Sequence, residues 1–405
     1  MHNNFQWTPT REAALKHLES FLPLAGTEYS HKRNFDMGAA EGHTNVSGLS
    51  PWLRHRCISE HEVVKQVLSQ HSLAAANKFI QEICWRTYWK GWLEMHEPVW
   101  FQYNAELVNF LSSGSYAADA NAAFNETTGI ECFDHWCDEL RDTGYLHNHA
   151  RMWFASIWIF TLKLPWQLGA DLFVQHLLDG DAASNTLSWR WVAGLHTKGK
   201  HYLATAENIA KFTSGRFNPD NQLATHAEPI TETIDYPVQE ITCTPDSRPI
   251  DTSGKTGFLL SDDDLTPVSV SNAESALDIS VISRHSLSPN GSSQQVQQFT
   301  NSLVHSCTPK SSMIIEDTNE AQLESLIERV VSEKFNNLKM AYVPVGSNRP
   351  FINKLTVELG KQNITTHQVR CKWDSAFWPH ANKGFFQLKK KIPSILTTLR
   401  LSTKI

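Results

Sequence analysis

Through residues 8–217 the apolar positions recur three and four apart, the spacing of helices that bury one face. Thr10-Arg-Glu-Ala-Ala opens a first helix, with Ala14, Leu15, Leu18 and Leu22 on its inner side. Further amphipathic blocks lie at 59–70, 73–97, 130–143, 146–164, 168–178 and 204–211, punctuated by Pro98, Gly114, Gly129, Gly144, Pro165 and Gly180. Hardly any stretch alternates with period two, so the pattern predicts an all-α domain over residues 1–217. From Asn218 to about residue 256 the chain is rich in Pro, Thr and Asp and reads as a linker. Beyond it, Gly257-Phe-Leu-Leu-Ser, Ile279-Ser-Val-Ile and Ser312-Met-Ile-Ile-Glu read as buried strands. Glu320–Lys334 reads as a helix, Lys339–Val345 as a strand, Asn348–Lys361 as a helix and Thr365–Val369 as a strand. Strands alternating with helices predict a smaller α/β, Rossmann-like domain over 257–405 with a mostly parallel sheet. Residues 284–310, rich in Ser and Gln, read as partly loop.

Composition sharpens this division. Of 14 tryptophans, 12 precede residue 192, so the helical half carries something the second half does not. Net charge is −6, with 18 basic against 22 acidic residues up to 217 and 18 against 20 after it, so a nucleic-acid partner would need a local groove. The seven cysteines contain no C-x-x-C pair, which points to reduced thiols and away from a metal site. The N-terminus lacks the apolar region of a signal peptide. The run Met152–Leu162, ended by Lys163, is too short for a bilayer. A cytoplasmic protein with no membrane and no metal partner is expected.

Three stretches concentrate chemistry. In Phe79-Ile-Gln-Glu-Ile-Cys-Trp-Arg-Thr-Tyr-Trp-Lys, Glu82, Trp85, Arg86 and Trp89 share one helix face. A core stripe needs neither carboxylate nor guanidinium among its indoles, and burying them is costly unless something polar binds there. In Thr143-Gly-Tyr-Leu-His-Asn-His-Ala-Arg-Met-Trp, His147, Asn148, His149, Arg151 and Met152 crowd the start of a buried helix, which points to a polar pocket. In Leu178-Asp-Gly-Asp-Ala-Ala-Ser-Asn-Thr-Leu-Ser-Trp-Arg-Trp, Asp179-Gly180-Asp181 alone would be an ordinary turn and cap. The run adds Asn185, Trp189 and Trp191 at close spacing.

With these motifs in order, residues 29–217 resemble the FAD-binding domain of the DNA photolyase/cryptochrome family. Ser47-Gly-Leu-Ser-Pro-Trp-Leu, EICWR, LPWQLGADLF, LLDGDAASN-TLSWRW and Arg216-Phe-Asn-Pro follow the family's order. The resemblance implies FAD as cofactor. Tyr29, Ser47, Leu49 and Ser50 would hold its phosphates and ribose. Arg86, Asn148, Arg151, Asp179, Asp181 and Asn185 would surround the flavin, with Arg151 paired to Asp179. It also implies a pocket for a flipped-out cyclobutane pyrimidine dimer, formed by Glu82, Trp85, Asn148, Met152 and Trp191. The paired histidines of (6-4) photolyases have no counterpart around Asn148 and Met152. Arg33, Arg54, Arg190 and Lys198 would contact DNA phosphates, while His149 stands where the family often has Arg. Trp189 and Trp166 match an electron relay whose distal member would fall near Ser113, with Tyr116, Trp100 or Trp136 as substitutes.

The family usually begins with an α/β antenna domain. Here residues 341–359 and 378–386 resemble part of one placed after the helical half, with no GxGxxG and the antenna chromophore left open. The leading expectation is light-driven, FAD-dependent repair of pyrimidine dimers in UV-damaged DNA. The alternative is a cryptochrome-like photoreceptor whose flavin redox change is read by a protein partner. A helical interaction protein without cofactor is the third reading.

Overall fold

The computed structural model describes residues 7–241, 244–245, 253–266, 278–281, 288–310 and 312–401. The first half is helical: α1 (Arg11–Phe21), α2 (Thr27–Lys32), α3 (Ser50–Arg54), α4 (Glu60–Gln70), α5 (Asn77–Glu94) and α6 (Pro98–Ser113). Then come α7 (Ala117–Asn125), α8 (Glu131–Thr143), α9 (Asn148–Ser156), α10 (Trp166–His176), α11 (Ala182–Ala193) and α12 (Ala206–Phe212). A single π turn, Ile157–Thr161, prolongs α9. Their starts follow the residues. Thr10 caps α1, Ser59 and Glu62 form a reciprocal capping box on α4, and Asp181 caps α11. Helices α6, α7 and α11 go beyond the blocks that periodicity marked.

The second half adds β1 (Thr244–Pro245), β2 (Thr256–Ser261), β3 (Asp278–Val281), α13 (Gln294–Cys307), β4 (Met313–Ile315) and α14 (Glu320–Ser332). It continues through β5 (Asn337–Ala341), α15 (Arg349–Lys361), β6 (Thr365–Arg370), α16 (Lys372–Phe377), α17 (Phe385–Lys389) and α18 (Ile392–Thr398). The six strands pair in parallel in the order β1-β6-β5-β2-β3-β4. The chain runs outward from β2 through β3 to β4, then returns to β5 and β6, so the winding reverses between β2 and β5. Leu259, Leu338 and Met340 of the sheet share an apolar cluster with Leu326 and Val330 of α14 and Ile352 and Leu355 of α15.

Two features differ from the reading of the pattern. The Ser/Gln-rich stretch forms the helix α13, because Val296, Phe299, Leu303 and Val304 lie on one face beneath its polar residues. The part of that stretch over 284–287, like Ile282 of the expected strand, lies outside the described residues. Within the expected linker, Thr244–Pro245 pairs with Val369–Arg370 at the sheet edge. The packing also cuts across chain order. Residues of α13, α16, α17 and α18, including Leu303, Trp373, Phe377, Phe385 and Leu396, share the apolar core of the helical half.

The carboxyl ends of β2 and β5 face that helical half. In an open α/β sheet the crevice at such a reversal is the usual ligand position; here it holds ion pairs. Arg54, buried, reaches Asp263 at 3.0 Å, Asp262 at 3.6 Å and the Gly180 carbonyl at 2.7 Å. Asn348 donates to Asp262 (2.6 Å) and Asp263 (2.9 Å). Arg56 bridges Asp374 (2.6 Å), Glu60 (3.0 Å) and Asp264 (3.4 Å). Glu94 of α5 takes Arg349 at 2.8 Å and the Val345 N–H at 2.6 Å. The space left is about 10 Å³, on the scale of one water. Among the described residues no helix is long and apolar enough to cross a membrane.

Burial, together with the charge of Asp263, pushes the Asp262 carboxyl up to about 7. Below about pH 4 the folded and unfolded chains both hold this proton, and the shift has no effect on stability. Between about pH 4 and 7 the unfolded chain has released it and the folded chain has not, so the group's contribution weakens as pH rises and levels off above 7. Asp262→Asn removes that slope. Whatever its stability at pH 5, the variant should improve relative to the parent as pH rises towards 7, read from urea unfolding across that range. An unchanged slope would contradict the assignment.

Candidate functional site

One cavity of about 590 Å³ opens into the helical half, within the span of roughly 300–1,000 Å³ common for cofactor sites. Helix α5 presents Glu82, Trp85, Arg86 and Trp89 to it, the four residues that share a helix face in the sequence. Helix α9 supplies Asn148, Arg151 and Met152 from its first turns. The turn between α10 and α11 supplies Asp179 and Asp181, and α11 adds Asn185, Trp189 and Trp191. Tyr29 and Arg33 arrive from α2 and its end, and Ser47, Leu49 and Ser50 from the start of α3. Every residue expected in the cofactor site and in the lesion pocket therefore lines one cavity.

The charged groups are fixed by partners. Arg151 holds Asp179 in a two-pronged pair at 3.0 and 2.9 Å and donates to the Leu146 carbonyl. Arg86 reaches Asp181 at 2.8 Å and the Arg54 carbonyl at 3.1 Å. Asp181 accepts the Ser184 N–H at 2.7 Å with its other oxygen. Burial pushes the Asp181 carboxyl up, but Arg86 and Arg54 outweigh it and hold the group below the usual carboxylate range. Arg33 donates to Glu82 at 2.7 Å; burial still raises the Glu82 carboxyl, with Arg33 opposing. Asn185 donates to the Ala170 carbonyl at 2.8 Å, which fixes its side chain at the wall. His147 and His149 hold the chain at Arg33 and Asn34 through those residues' carbonyls. Burial, with His43 and His149 nearby, lowers His147 to about 3, so it is neutral.

Two expected phosphate contacts are corrected. Arg54 is buried and engaged by Asp262, Asp263 and Gly180. Arg190 is buried against Glu232 at 2.6 Å, beneath Tyr236, which binds the same carboxylate. Neither guanidinium reaches the surface. Arg33 is partly exposed at the cavity, and Lys198 is exposed near Asp235 at 3.8 Å. The aromatic path also differs in detail. Trp166 stacks on Tyr103 at 5.4 Å, and Tyr103 lies 5.5 Å from Trp100, while Trp136 stacks on Trp153. Tyr116 is exposed beside Phe110. One cavity residue that the motifs missed is Phe386, from α17.

Residues 79–244 match the family model described as the FAD binding domain of DNA photolyase. Over about half its length the chain is similar to proteins of the DNA photolyase/cryptochrome family. A deoxyribodipyrimidine photo-lyase of Synechococcus sp. is 29% identical over 226 residues, 51% of this chain and 44% of that protein. A cryptochrome DASH of Idiomarina loihiensis is 27% identical over 225 residues, 52% of this chain and 46% of that protein. The structure of a class III photolyase from Agrobacterium tumefaciens matches with TM-score 0.44 at 29% identity, covering 51% of this chain and 43% of that one. The chain thus spans less than half the length of these relatives.

FAD is the cofactor of this photolyase-type domain. The cavity suits it on its own terms. Its wall combines apolar surface with fixed charges of both signs, and Arg86 Nε, Ser184 Oγ and Trp189 Nε1 are buried there without a hydrogen-bond partner. Packing behind the wall is tight: a Cβ added at Gly169 would lie 2.3 Å from Trp189 and 3.0 Å from Trp158. Gly169→Ala should therefore displace Trp189 toward the cavity. The expected outcome is a loss of about 1–3 kcal/mol in stability and less FAD retained per protein, read by thermal unfolding and visible absorbance.

Proposed function

We propose that the protein splits cyclobutane pyrimidine dimers in UV-damaged DNA under light. The observation that carries this reading is that Glu82, Trp85, Asn148, Met152 and Trp191 share one cavity with the residues assigned to FAD. In this reading Tyr29, Ser47, Leu49 and Ser50 hold the phosphates and ribose. Arg86, Asn148, Arg151, Asp179, Asp181 and Asn185 surround the flavin ring. Bound FAD, once reduced, supplies a light-absorbing one-electron donor. The chain's own part is to bind, orient and keep water out.

Trp85 and Trp191 offer aromatic faces to an extruded dinucleotide. Flipping costs a few kcal/mol and is cheapest for a damaged step, while stacking returns about 1–3 kcal/mol per base. Glu82 places a carboxyl at the same wall, raised by burial against the opposing Arg33, where it can hydrogen-bond a polar edge of the pyrimidine. Asn148 and Met152, one helical turn apart with Nδ2 and Sδ at 4.0 Å, line the same cavity from α9. Trp189 and Trp166 serve as electron relay, and Tyr103, stacked on Trp166, continues it to Trp100, both buried on α6.

The test is dimer loss from irradiated oligo-dT, single- and double-stranded, under blue light with FAD bound. Glu82→Ala should keep FAD and lower repair per photon about fivefold, the net worth of one hydrogen bond of about 1 kcal/mol. Flavin-loaded protein that repairs neither substrate would overturn repair and leave the photoreceptor reading. Trp100→Phe should slow the light-driven bleaching of the visible flavin band several-fold. Unchanged bleaching would remove Trp100 from the relay.

A further inference from the structure

After Asp374 the chain contains no Asp or Glu, yet carries Lys383, Lys389, Lys390, Lys391, Arg400 and Lys404, in a protein of net charge −6. The structure brings part of this segment to the cavity mouth. Gly384 precedes α17, whose Phe385 is buried and stacks on Trp85 with ring centroids 3.6 Å apart and planes 15° apart. The next residue, Phe386, lines the cavity and is 70% exposed, a large ring left open to solvent. Lys389 lies with Nζ 6.0 Å from that ring. Lys383, Lys390 and Lys391 are exposed, and no ion pair among the described residues engages any of the four.

We propose that Lys383–Lys391 forms a nucleic-acid-binding rim of the flavin cavity, in which Phe386 stacks on a base and the lysines take the flanking phosphates. The proposal rests on the repair reading and adds a DNA contact from the C-terminal part of the chain. Charge chooses a polyanion, because the lysines are local, unpaired and set against an acidic molecule. The exposed ring, continuous with Trp85 through Phe385, chooses one that carries stacking faces as well as charge. A sequence-tolerant site for single-stranded or locally opened DNA is built from the same two parts. Phe385 anchors the rim, so Phe386 and the lysines are held against the wall that would receive the extruded bases.

The experiment uses the full, FAD-loaded protein in the dark, with fluorescence anisotropy of labelled oligo-dT, irradiated and unirradiated, over a salt series. Lys389→Glu, Lys390→Glu and Lys391→Glu together should weaken both oligonucleotides at least about tenfold. The slope of log affinity against log salt should become shallower by about 0.7 for each lost phosphate contact. Phe386→Ala should weaken binding about 5- to 100-fold with the slope unchanged. Flavin absorbance and far-UV circular dichroism report folding; if the triple variant loses either, Phe386→Ala and Lys390→Glu alone decide the outcome. Parental affinity and slope in these variants overturn the rim, while dimer repair by the parent would leave the repair reading intact. Displacement of the oligonucleotide by polyglutamate as readily as by oligo-dT would also overturn it, in favour of an acidic peptide. A parent that neither binds DNA nor repairs dimers removes the reading and the rim together.

Discussion

The buried guanidinium of Arg54 is the constraint on which the rest of the structure turns. It sits at the end of α3, donates to the Gly180 carbonyl between the two aspartates of the cavity wall, and is balanced by Asp262 and Asp263 from the end of β2. Its own carbonyl accepts from Arg86, which in turn holds Asp181. Four segments far apart in the chain thus meet on one charge. A buried pair of this kind adds little net stability against an apolar replacement, but removing one partner strands the other charge at a cost of about 3–5 kcal/mol. Its effect is therefore on geometry. It sets where the sheet docks and where the Asp179–Asp181 turn lies.

That docking explains how a small α/β unit can matter to a site it scarcely lines. The strand ends that would otherwise offer a ligand crevice are used to grip α3 and α5 through Arg54, Arg56 and Glu94. Helix α5 receives charged contacts on one side and presents Glu82, Trp85, Arg86 and Trp89 on the other. Gly91 lets this happen, because a Cβ there would lie 2.6 Å from Trp378. The helices after β6 then return to the helical core and leave Phe386 at the cavity mouth.

Most of the helices and strands were legible because their signals are local. The 3.6-residue period and the apolar run at 257–261 each specify an element without knowledge of its neighbours, whereas the strand expected at 339–345 lies at 337–341. Helix α13 was not, since its surface residues are Ser and Gln and only the buried face carries the helical spacing. The site was legible in the same local way. The i, i+3, i+4, i+7 set on α5 and the polar cluster opening α9 are short-range patterns, and the family motifs extended them to Tyr29 and Ser47.

What the chain alone determined, then, is which residues share a helix face and which types of group a pocket must contain. What only the tertiary structure decided is which charges are free. Arg54 and Arg190 look in sequence like Arg33, but their carboxylate partners, Asp262, Asp263 and Glu232, lie 42 to 209 residues away and bury them. Phe386 carries no local sign of a site at all and reaches one because Phe385 stacks on Trp85 across 300 residues of chain. Propensity and periodicity act over a turn or two of backbone, whereas burial and ion pairing depend on contacts that exist only once distant segments have closed on one another.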